Sequence, residues 1–247
     1  MRGIILAGGT GSRLYPLTKV INKHLIPICN KPMIYYSIEK LVNAGINEIL
    51  IISGLEQCGS IIQQLGDGSE FNCHLTYKVQ MKAGGIAEAL LLAEDWARND
   101  NMTVILGDNI SNFNLKPYID FYDETQGCVL FLKEVTDPER FGVAEFYKKM
   151  SMKDNQVKII NIEEKPKTPK SNYAVTGFYI YDKTVFDRIK TLKYSDRGEL
   201  EVTDLNKTYL KDELLTGYLL NNNTWWTDAG THESLRRAHE LVITKGI

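Results

Sequence analysis

The chain has 247 residues, of which 43% are hydrophobic and 24% are charged, and its formal net charge is −2. This composition is typical of a globular protein. The near-neutral charge gives no overall positive field for nucleic acid or anionic lipid, and the apolar runs are too short to span a membrane. The first residues already form the predicted strand and loop, so a signal peptide is not expected, and four scattered cysteines without a C-x-x-C pair indicate reduced thiols. We therefore expect a cytoplasmic protein.

The first half of the chain alternates short apolar strands with helical segments. Strands are predicted at residues 4–7, 48–53, 75–79 and 102–106, and helices from Pro32 to about 44, around 61–65 and at 86–98. Pro32 suits the first position of its helix. Strands joined by helical crossovers of this length indicate a parallel sheet.

The second half is richer in strands. They are predicted at residues 129–134, 143–147, 157–163, 175–181 and 214–220, with helices at 184–190, 203–213 and 231–244, the last capped by Thr231. No linker or internal repeat divides the chain. The pattern predicts a single α/β domain of Rossmann-like type, with a mixed, mostly parallel central sheet flanked by helices.

A glycine-rich loop follows the first strand and is the most informative segment. Leu6 and Ala7 end the strand, and Gly8, Gly9, Thr10, Gly11, Ser12 and Arg13 follow. Glycines there let several backbone N–H groups converge on one anion, and the Arg13 guanidinium suits phosphate. The loop is therefore predicted to hold phosphate groups.

Three other readings of this loop compete. A dinucleotide fingerprint would need an acidic residue about 20 positions on to bind a ribose, but no acid precedes Glu39. A P-loop would need Gly-Lys-Ser/Thr, which the sequence does not contain. A purely structural glycine turn fits poorly with Arg13 and Lys23 both downstream.

Two aspartates suit a hard cation. Asp108 follows the strand that ends at Leu106, and Asp228 precedes the last helix. Ligands of open parallel sheets bind beyond the carboxyl ends of the strands, and one or two carboxylates together with substrate phosphates commonly hold Mg²⁺. Taken singly, each aspartate could equally be a turn or capping residue.

Other polar residues end strands or precede helices. Glu164 and Lys165 close one strand before Pro166, Arg197 precedes a helix, and Gln80 ends a strand with an amide that can both donate and accept, as reading a base edge requires. An exposed acid–base pair or a helix-capping segment would account for the first three without any ligand.

In this order, the segments resemble the sugar-1-phosphate nucleotidylyltransferases, and within them the thymidylyltransferases. The family pattern G-x-G-x-R-L-x-P-x-T, followed by a lysine before L-x-P, is met by Gly9, Gly11, Arg13, Leu14, Pro16, Thr18, Lys23, Leu25 and Pro27. The blocks LGDN (106–109), EKP (164–166), SNYAVTG (171–177), RGELE (197–201) and DAGTH (228–232) also fit. The resemblance covers essentially the whole chain.

The resemblance implies the nucleotide-diphospho-sugar transferase fold and transfer of a nucleotidyl group from dTTP or UTP to glucose-1-phosphate, releasing pyrophosphate. It implies a nucleotide-binding part at 1–110, a sugar-phosphate-binding part at 111–230 and a C-terminal helix at 231–247. The resemblance assigns catalytic roles to Arg13, Lys23, Asp108 and Lys165, and nucleotide binding to Leu6, residues 8–13, Gln80 and Gly85. It assigns sugar-phosphate binding to Asn109, Gly142, Glu164, Lys165, Val175 and Arg197. It assigns Mg²⁺ binding to Asp108 and Asp228. A transfer enzyme for another sugar-1-phosphate and a non-catalytic nucleotide-sugar sensor are the alternatives.

The sequence departs from the family pattern at several points. His24 and Glu88 stand where the family more often has glutamine, Phe141 where it often has tyrosine, and Lys82 lies in the base-reading segment. The sequence ends at Ile247, before the helical extension of longer members. The resemblance leaves room for a homo-oligomer but does not imply those members' tetramer or feedback control.

Overall fold

The structure is a computed structural model and describes residues 1–97, 99–147 and 155–247. The strands, numbered in chain order, are β1 (Arg2–Ala7), β2 (Pro27–Ile28), β3 (Lys31–Pro32), β4 (Glu48–Gly54), β5 (His74–Gln80), β6 (Met102–Leu106), β7 (Asn109–Ser111), β8 (Cys128–Glu134), β9 (Gly142–Tyr147), β10 (Gln156–Glu164), β11 (Tyr173–Tyr181), β12 (Leu215–Leu219) and β13 (Trp226–Asp228). The α-helices are α1 (Met33–Asn43), α2 (Cys58–Leu65), α3 (Ile86–Leu91), α4 (Glu94–Ala97), α5 (Lys116–Asp120), α6 (Val185–Lys190), α7 (Val202–Lys211) and α8 (His232–Lys245).

One nine-stranded sheet runs through the molecule in the order β5-β4-β1-β6-β11-β8-β12-β10-β9. Strands β10 and β11 run opposite to the other seven. The predicted mixed, mostly parallel sheet is therefore confirmed. Helices cover both faces of the parallel strands, which explains why β1, β4 and β6 are continuous apolar runs in the sequence.

Side chains of successive residues in β1 pack into two cores on opposite faces of the sheet. Ile4 and Leu6 pack with residues of α3, α6 and α7, whereas Ile5 and Ala7 pack with residues of α1 and α2. This alternation is the two-residue period of a strand. The result is a three-layer arrangement in which the carboxyl end of β1 opens onto the glycine loop.

The predicted elements of the main sheet are present, with boundaries that differ by a few residues. Thr231 caps α8 as predicted, since its hydroxyl accepts a hydrogen bond from the Ser234 N–H in a reciprocal capping box. The expectation that Pro32 begins a helix is wrong by one residue, because Pro32 is extended (ψ 144°) and only caps α1. The single helix predicted at 86–98 is divided into α3 and α4, and its last residue lies outside the described residues.

Four short strands and one short helix were not predicted. Strands β2 and β3 form a hairpin, helix α5 follows β7, and β7 pairs antiparallel with β13. The β7–β13 register sets Asn109 opposite Asp228. A third apolar cluster, which includes residues of β2, β7 and α8, packs behind this small sheet. In the part of the chain that the structure describes, no helix is long and apolar enough to cross a membrane.

Candidate active site

A cleft of about 240 Å³ opens at the carboxyl ends of β1, β5 and β6. Its lining includes seven of the residues proposed from the sequence, namely Leu6, Gly8, Gly9, Lys23, Gln80, Gly85 and Asp108. Thr10 lies with Gly9 and Gln80 in an adjoining recess of about 200 Å³. The cleft stands where ligands of open α/β sheets bind.

The glycine loop requires glycine at two positions. Gly9 and Gly11 have φ values of 94° and 64°, in the left-handed region. A Cβ on Gly11 would also lie 2.7 Å from the Thr18 methyl carbon, and the Thr18 hydroxyl donates to the Gly11 carbonyl over 2.9 Å. The loop is thereby folded tightly against the segment that carries Lys23.

Arg13 projects from the short helical turn Ser12–Leu14 that ends this loop, and its side chain is exposed. A guanidinium nitrogen lies 3.0 Å from the point that a Cβ on Gly230 would occupy. Within the described ranges, no carboxylate lies within ion-pair distance of Arg13. Its charge is therefore available to an anion in the cleft.

Lys23 and Asp108 form a buried ion pair between their ammonium and carboxylate groups. Burial alone would raise the pKa of the Asp108 carboxyl, but the charge and hydrogen bond of Lys23, the charge of His24 and the hydrogen bond from Asn109 together outweigh burial and hold that pKa well below its usual range. Asp108 is consequently ionised at any physiological pH. A cation and an anion thus stand together at the floor of the cleft.

Asp228 and Asp108 both lie beside Gly230. A Cβ on Gly230 would be 3.3 Å from Asp228 Oδ2 and 3.6 Å from Asp108 Oδ2. Burial, together with the charge of Asp108, raises the pKa of Asp228 to about 6, and Arg140 contacts both of its carboxylate oxygens at 3.1 Å. The two adjacent carboxylates repel each other, and a bound cation would relieve that repulsion. The pair therefore suits a divalent ion that also binds phosphate oxygens.

The described residues contain no larger cluster of this kind. Among the described residues, no group of three or more His, Cys, Asp or Glu side chains could hold a metal ion. An all-protein metal cage is therefore absent from the described ranges, and the two aspartates fit a Mg²⁺ ion only when substrate phosphates complete its coordination.

The Asn109 side chain is buried, and its amide is engaged within the protein. Its Oδ1 accepts from the Trp226 indole N–H over 2.7 Å and from the Gly177 N–H over 3.0 Å, and its Nδ2 donates to Asp108 over 2.8 Å. Gly177 lies where the β11–β8 pairing is interrupted between Val175 and Tyr179, and a Cβ there would overlap the Asn109 amide at 2.5 Å. The side chain orients Asp108, and its sugar-phosphate role stays a prediction.

Three residues predicted to line a sugar pocket are brought together. A Cβ on Gly142 would lie 3.4 Å from Glu164 Oε2 and 3.9 Å from Val175 Cβ, because Gly142 pairs with Glu164 across β9 and β10. The Thr203 hydroxyl donates to Glu164 over 2.5 Å. These residues form one small polar surface beside the strand β11.

Two cations border this surface. Lys165 Nζ and an Arg197 nitrogen lie 3.5 Å and 3.7 Å from Glu164 Oε1, and Arg197 also grips Glu201 with two contacts of 2.9 Å. Lys165 has a left-handed backbone with φ 45°, which is uncommon for a residue with a side chain. Both side chains are about half exposed, so an anion can reach them.

Tyr179 links the two sets of residues. It is buried on β11, and burial raises the pKa of its hydroxyl, with the charges of Glu164 and Asp108 adding to the effect. Both carboxylates therefore lie near this side chain. Both sets of residues also contact this strand, through Val175 on the sugar side and Gly177 on the phosphate side.

Gly85 and Gln80 form one wall of the cleft. Gly85 has φ 96°, and a Cβ on it would lie 2.5 Å from the Leu200 carbonyl oxygen. The Gln80 amide nitrogen donates to the Gly85 carbonyl over 3.2 Å and to Glu88 over 3.1 Å. Glu199, outside the predicted nucleotide-binding part, completes this wall.

Sequence reasoning did not assign a role to three residues that hold the site. Arg140 neutralises Asp228, Thr203 orients Glu164, and Glu201 holds Arg197. Arg140 lies two positions before Gly142, and Glu201 ends the RGELE block. Their proximity in sequence to predicted residues is a signal, but their contacts depend on pairing across β9, β10 and α7.

Comparison with known proteins agrees with the family resemblance that the sequence motifs indicated. The family model described as nucleotidyl transferase matches residues 2–245. The chain belongs to the nucleotidyl transferase family. The resemblance inferred from the motif order is confirmed, and so is the fold type.

Curated members of this nucleotidyl transferase family match nearly the whole chain. A glucose-1-phosphate thymidylyltransferase of Neisseria meningitidis is 44% identical over 99% of this chain and 83% of that protein. One of Mycolicibacterium smegmatis is 42% identical over the same shares of both proteins. The chain thus matches over most of the length of both relatives.

Solved structures extend the agreement to three dimensions. A Bacillus anthracis protein crystallised with sucrose has a TM-score of 0.89 at 54% identity, and the match covers 100% of this chain and 96% of that one. A UDP-glucose pyrophosphorylase complexed with UDP-glucose has a TM-score of 0.86 at 25% identity, covering 99% and 98%. The nine-stranded architecture is that of these nucleotidyl transferases.

Proposed function

We propose that this nucleotidyltransferase moves a nucleotidyl group from dTTP or UTP to glucose-1-phosphate, giving dTDP-glucose or UDP-glucose and pyrophosphate. The observation that carries the proposal is the Lys23–Asp108 ion pair in the cleft beside the glycine loop. A donor triphosphate and an acceptor phosphate would meet at that pair. The names of the relatives supply the substrates.

In the proposed reaction, an oxygen of the sugar phosphate attacks the α-phosphorus in line, and the bond from that phosphorus to the β-phosphate oxygen breaks as pyrophosphate leaves. The acceptor is already an anion, so no general base is needed. The main requirement is to align and neutralise two anions. Arg13 and the loop N–H groups would hold the triphosphate, and Lys23 would meet the α-phosphate and the leaving group.

Lys165 and Arg197 would hold the sugar phosphate while Glu164 accepts sugar hydroxyl groups. Both cations lie beside the Glu164 carboxylate. Glu201 and Glu164 hold Arg197 until an anion competes for it. Lys165 is thereby a candidate for both binding and charge stabilisation.

A Mg²⁺ ion would be held by Asp108 and Asp228, and when bound it would neutralise charge on the phosphates. Two observations support this assignment: both carboxylates lie beside Gly230, and the pKa of Asp228 is raised. Arg140 meets Asp228 in the protein without the ion. While no ion is bound, Arg140 would offset part of the negative charge of the two carboxylates.

We also propose that the protein is cytoplasmic. The four cysteines are free thiols, which suits a reducing cytoplasmic compartment. A homo-oligomer remains a prediction from the resemblance, and analytical ultracentrifugation of the full chain would test it.

A matrix assay tests the proposed function. Purified protein is incubated with each of five nucleoside triphosphates, paired in turn with several sugar-1-phosphates, and pyrophosphate release is measured with Mg²⁺ present. We expect release with dTTP or UTP and glucose-1-phosphate. Nucleotide binding without release for any pair would instead favour the non-catalytic sensor.

A further inference from the structure

We propose that Glu88 determines base specificity by fixing the orientation of the Gln80 side-chain amide. In that orientation, Gln80 offers an acceptor oxygen to the nucleotide base, and the site takes pyrimidines whose facing ring nitrogen carries a hydrogen, namely thymine and uracil. This inference rests on the proposed function, since it assumes that the base binds in the cleft beside Gln80.

The contacts of Gln80 fix which end of its amide faces which way. Its Nε2 lies 3.1 Å from Glu88 Oε1 and 3.2 Å from the Gly85 carbonyl oxygen. A carboxylate and a carbonyl can only accept hydrogen bonds, so the NH₂ group must face them. The hydrogen-bond partners of the NH₂ group therefore identify the other atom of the Gln80 amide as the carbonyl oxygen.

The Gln80 carbonyl oxygen faces the glycine loop. It lies 3.5 Å from the point that a Cβ on Gly8 would occupy, and both residues line the cleft. Within the described residues, no donor contacts this oxygen. An acceptor is thus presented to whatever occupies the cleft.

Glu88 is itself held in place from two sides. The Tyr194 hydroxyl donates to its Oε2 over 3.1 Å. A Cβ on Gly84 would lie 1.9 Å from the same oxygen, so the carboxylate rests directly against the Gly84 backbone. Glu88 also stands in the first turn of α3, where a negative charge is favourable. The carboxylate that orients Gln80 is accordingly well positioned.

The consequence for the base follows from hydrogen-bond chemistry. Thymine and uracil carry an N3–H that can donate to a fixed oxygen, whereas cytosine has a lone pair on N3. When cytosine binds, its N3 lone pair would face the Gln80 carbonyl oxygen. No hydrogen bond forms between two acceptors, and both groups are left unsatisfied. Without Glu88, the Gln80 amide can turn over and present its N–H groups, because rotation of a terminal amide meets only a broad, low barrier.

The test compares nucleotide ratios in four variants. The ratio of kcat/KM for UTP to kcat/KM for CTP is measured with glucose-1-phosphate for the wild type, Glu88→Ala, Glu88→Gln and Gly84→Ala. We expect Glu88→Ala to lower this ratio about tenfold. Gly84→Ala displaces the carboxylate and lowers the ratio similarly, while Glu88→Gln keeps an acceptor oxygen and retains most of it.

Glu94→Ala is the matched control. It removes an acidic side chain from the neighbouring α4, where Glu94 pairs with Lys190 and does not contact Gln80. We expect this variant to keep the wild-type ratio. If Glu94→Ala lowered the ratio as much as Glu88→Ala, the effect would be one of general charge and the inference would be overturned.

Equilibrium binding of the same nucleotides separates this inference from the proposed function. Calorimetric titration with dTTP, UTP and CTP measures base preference without turnover. If the wild type released no pyrophosphate but bound UTP more tightly than CTP, and Glu88→Ala removed that preference, the proposed function would fail and the role of Glu88 would stand. A folded Glu88→Ala protein with the wild-type ratio in both assays, or a wild type without base preference, would overturn the inference.

Discussion

The Trp226 indole N–H donates a 2.7 Å hydrogen bond to Asn109 Oδ1 and joins segments 117 residues apart. The bond belongs to the β7–β13 pairing that sets Asn109 opposite Asp228. Asn109 in turn donates to Asp108. One buried amide therefore connects the strand that carries Asp228 to the turn that carries Asp108.

Replacing this amide should cost stability. Asn109→Ala leaves the Trp226 N–H and the Gly177 N–H without an acceptor, so we expect the free energy of unfolding to fall by about 2–4 kcal/mol, measured by urea denaturation. The exposed Asn223→Ala is the control and should change it by less than about 0.5 kcal/mol. Unchanged stability with a raised KM for the sugar phosphate would show that the side chain serves the substrate instead.

Removing Arg13 should affect catalysis and leave the fold intact. The guanidinium is exposed and has no carboxylate within ion-pair distance among the described residues, so Arg13→Ala should not lower the melting temperature. Loss of one positioned charge from the transition state should reduce kcat/KM on the order of 10²-fold or more. Steady-state pyrophosphate release measures this effect, and Lys19→Ala, a cation stacked on Tyr15 nearby, should have little effect.

Asp108→Asn should abolish metal-dependent turnover. The change keeps the side-chain shape but removes a charge from the proposed metal pair, so we also expect weaker Mn²⁺ binding by electron paramagnetic resonance. Chelation of metal from the wild type with EDTA should give the same loss of pyrophosphate release. The control Asp212→Asn alters an exposed pair with Arg188, and full activity in Asp108→Asn would remove Asp108 from the site.

Gly142→Ala should act on the sugar phosphate alone. An added Cβ would approach Thr203 Oγ1 at 3.3 Å and Glu164 Oε2 at 3.4 Å, where it narrows the pocket without forcing a backbone change. We expect about a tenfold rise in KM for glucose-1-phosphate, since lost pocket contacts of this size are worth one to two orders of magnitude, with nucleotide binding unchanged. Gly59→Ala, with open space around it in α2, serves as the control and should raise stability by up to about 1 kcal/mol.

Lys40 should make stability depend on alkaline pH. Burial lowers the pKa of its ammonium from 10.5 to about 8, although Nζ donates to the Phe113 carbonyl over 2.6 Å. Because the folded-state pKa lies below the unfolded value, the unfolded chain binds more protons between about pH 8 and 10.5. The wild type should therefore gain stability relative to Lys40→Met across that window, by up to about 3 kcal/mol.

Urea denaturation at pH 7 to 10.5 measures this difference. The exposed Lys116→Met, which loses only a surface pair with Asp120, should show no such slope against the wild type. A difference between wild type and Lys40→Met that stays constant from pH 7 to 10.5 would contradict the prediction.

The strands and helices that pack the main sheet could be predicted because each carries its own local signal. The apolar runs of β1, β4 and β6 and the periodic faces of α1 and α8 depend on residues a few positions apart. The short strands β2, β3, β7 and β13 carry too few residues for any period to appear. Their pairing is stabilised by the tertiary packing of Trp225, Trp226 and Ala229 against the rest of the domain.

The candidate site shows the same division. Its motif residues could be named from the sequence, but the orientation of Asn109 could not, because a buried amide is equally able to bind a substrate or its neighbours. Arg140 and Thr203 acquire their roles only when β9, β10 and α7 bring them to Asp228 and Glu164.

The sequence by itself determined the glycine-rich loop after β1, the order of the elements and membership of the nucleotidyl transferase family, since each depends on residue types at short, ordered spacings. The tertiary structure alone decided that Asp108 and Asp228 both lie beside Gly230, that the Asn109 amide contacts Asp108, Trp226 and Gly177, and that the Gln80 amide nitrogen contacts Glu88 while its oxygen faces the glycine loop. These are relationships between side chains brought together by strand pairing and close packing. Such contacts depend on three-dimensional distance, which spacing along the chain does not encode.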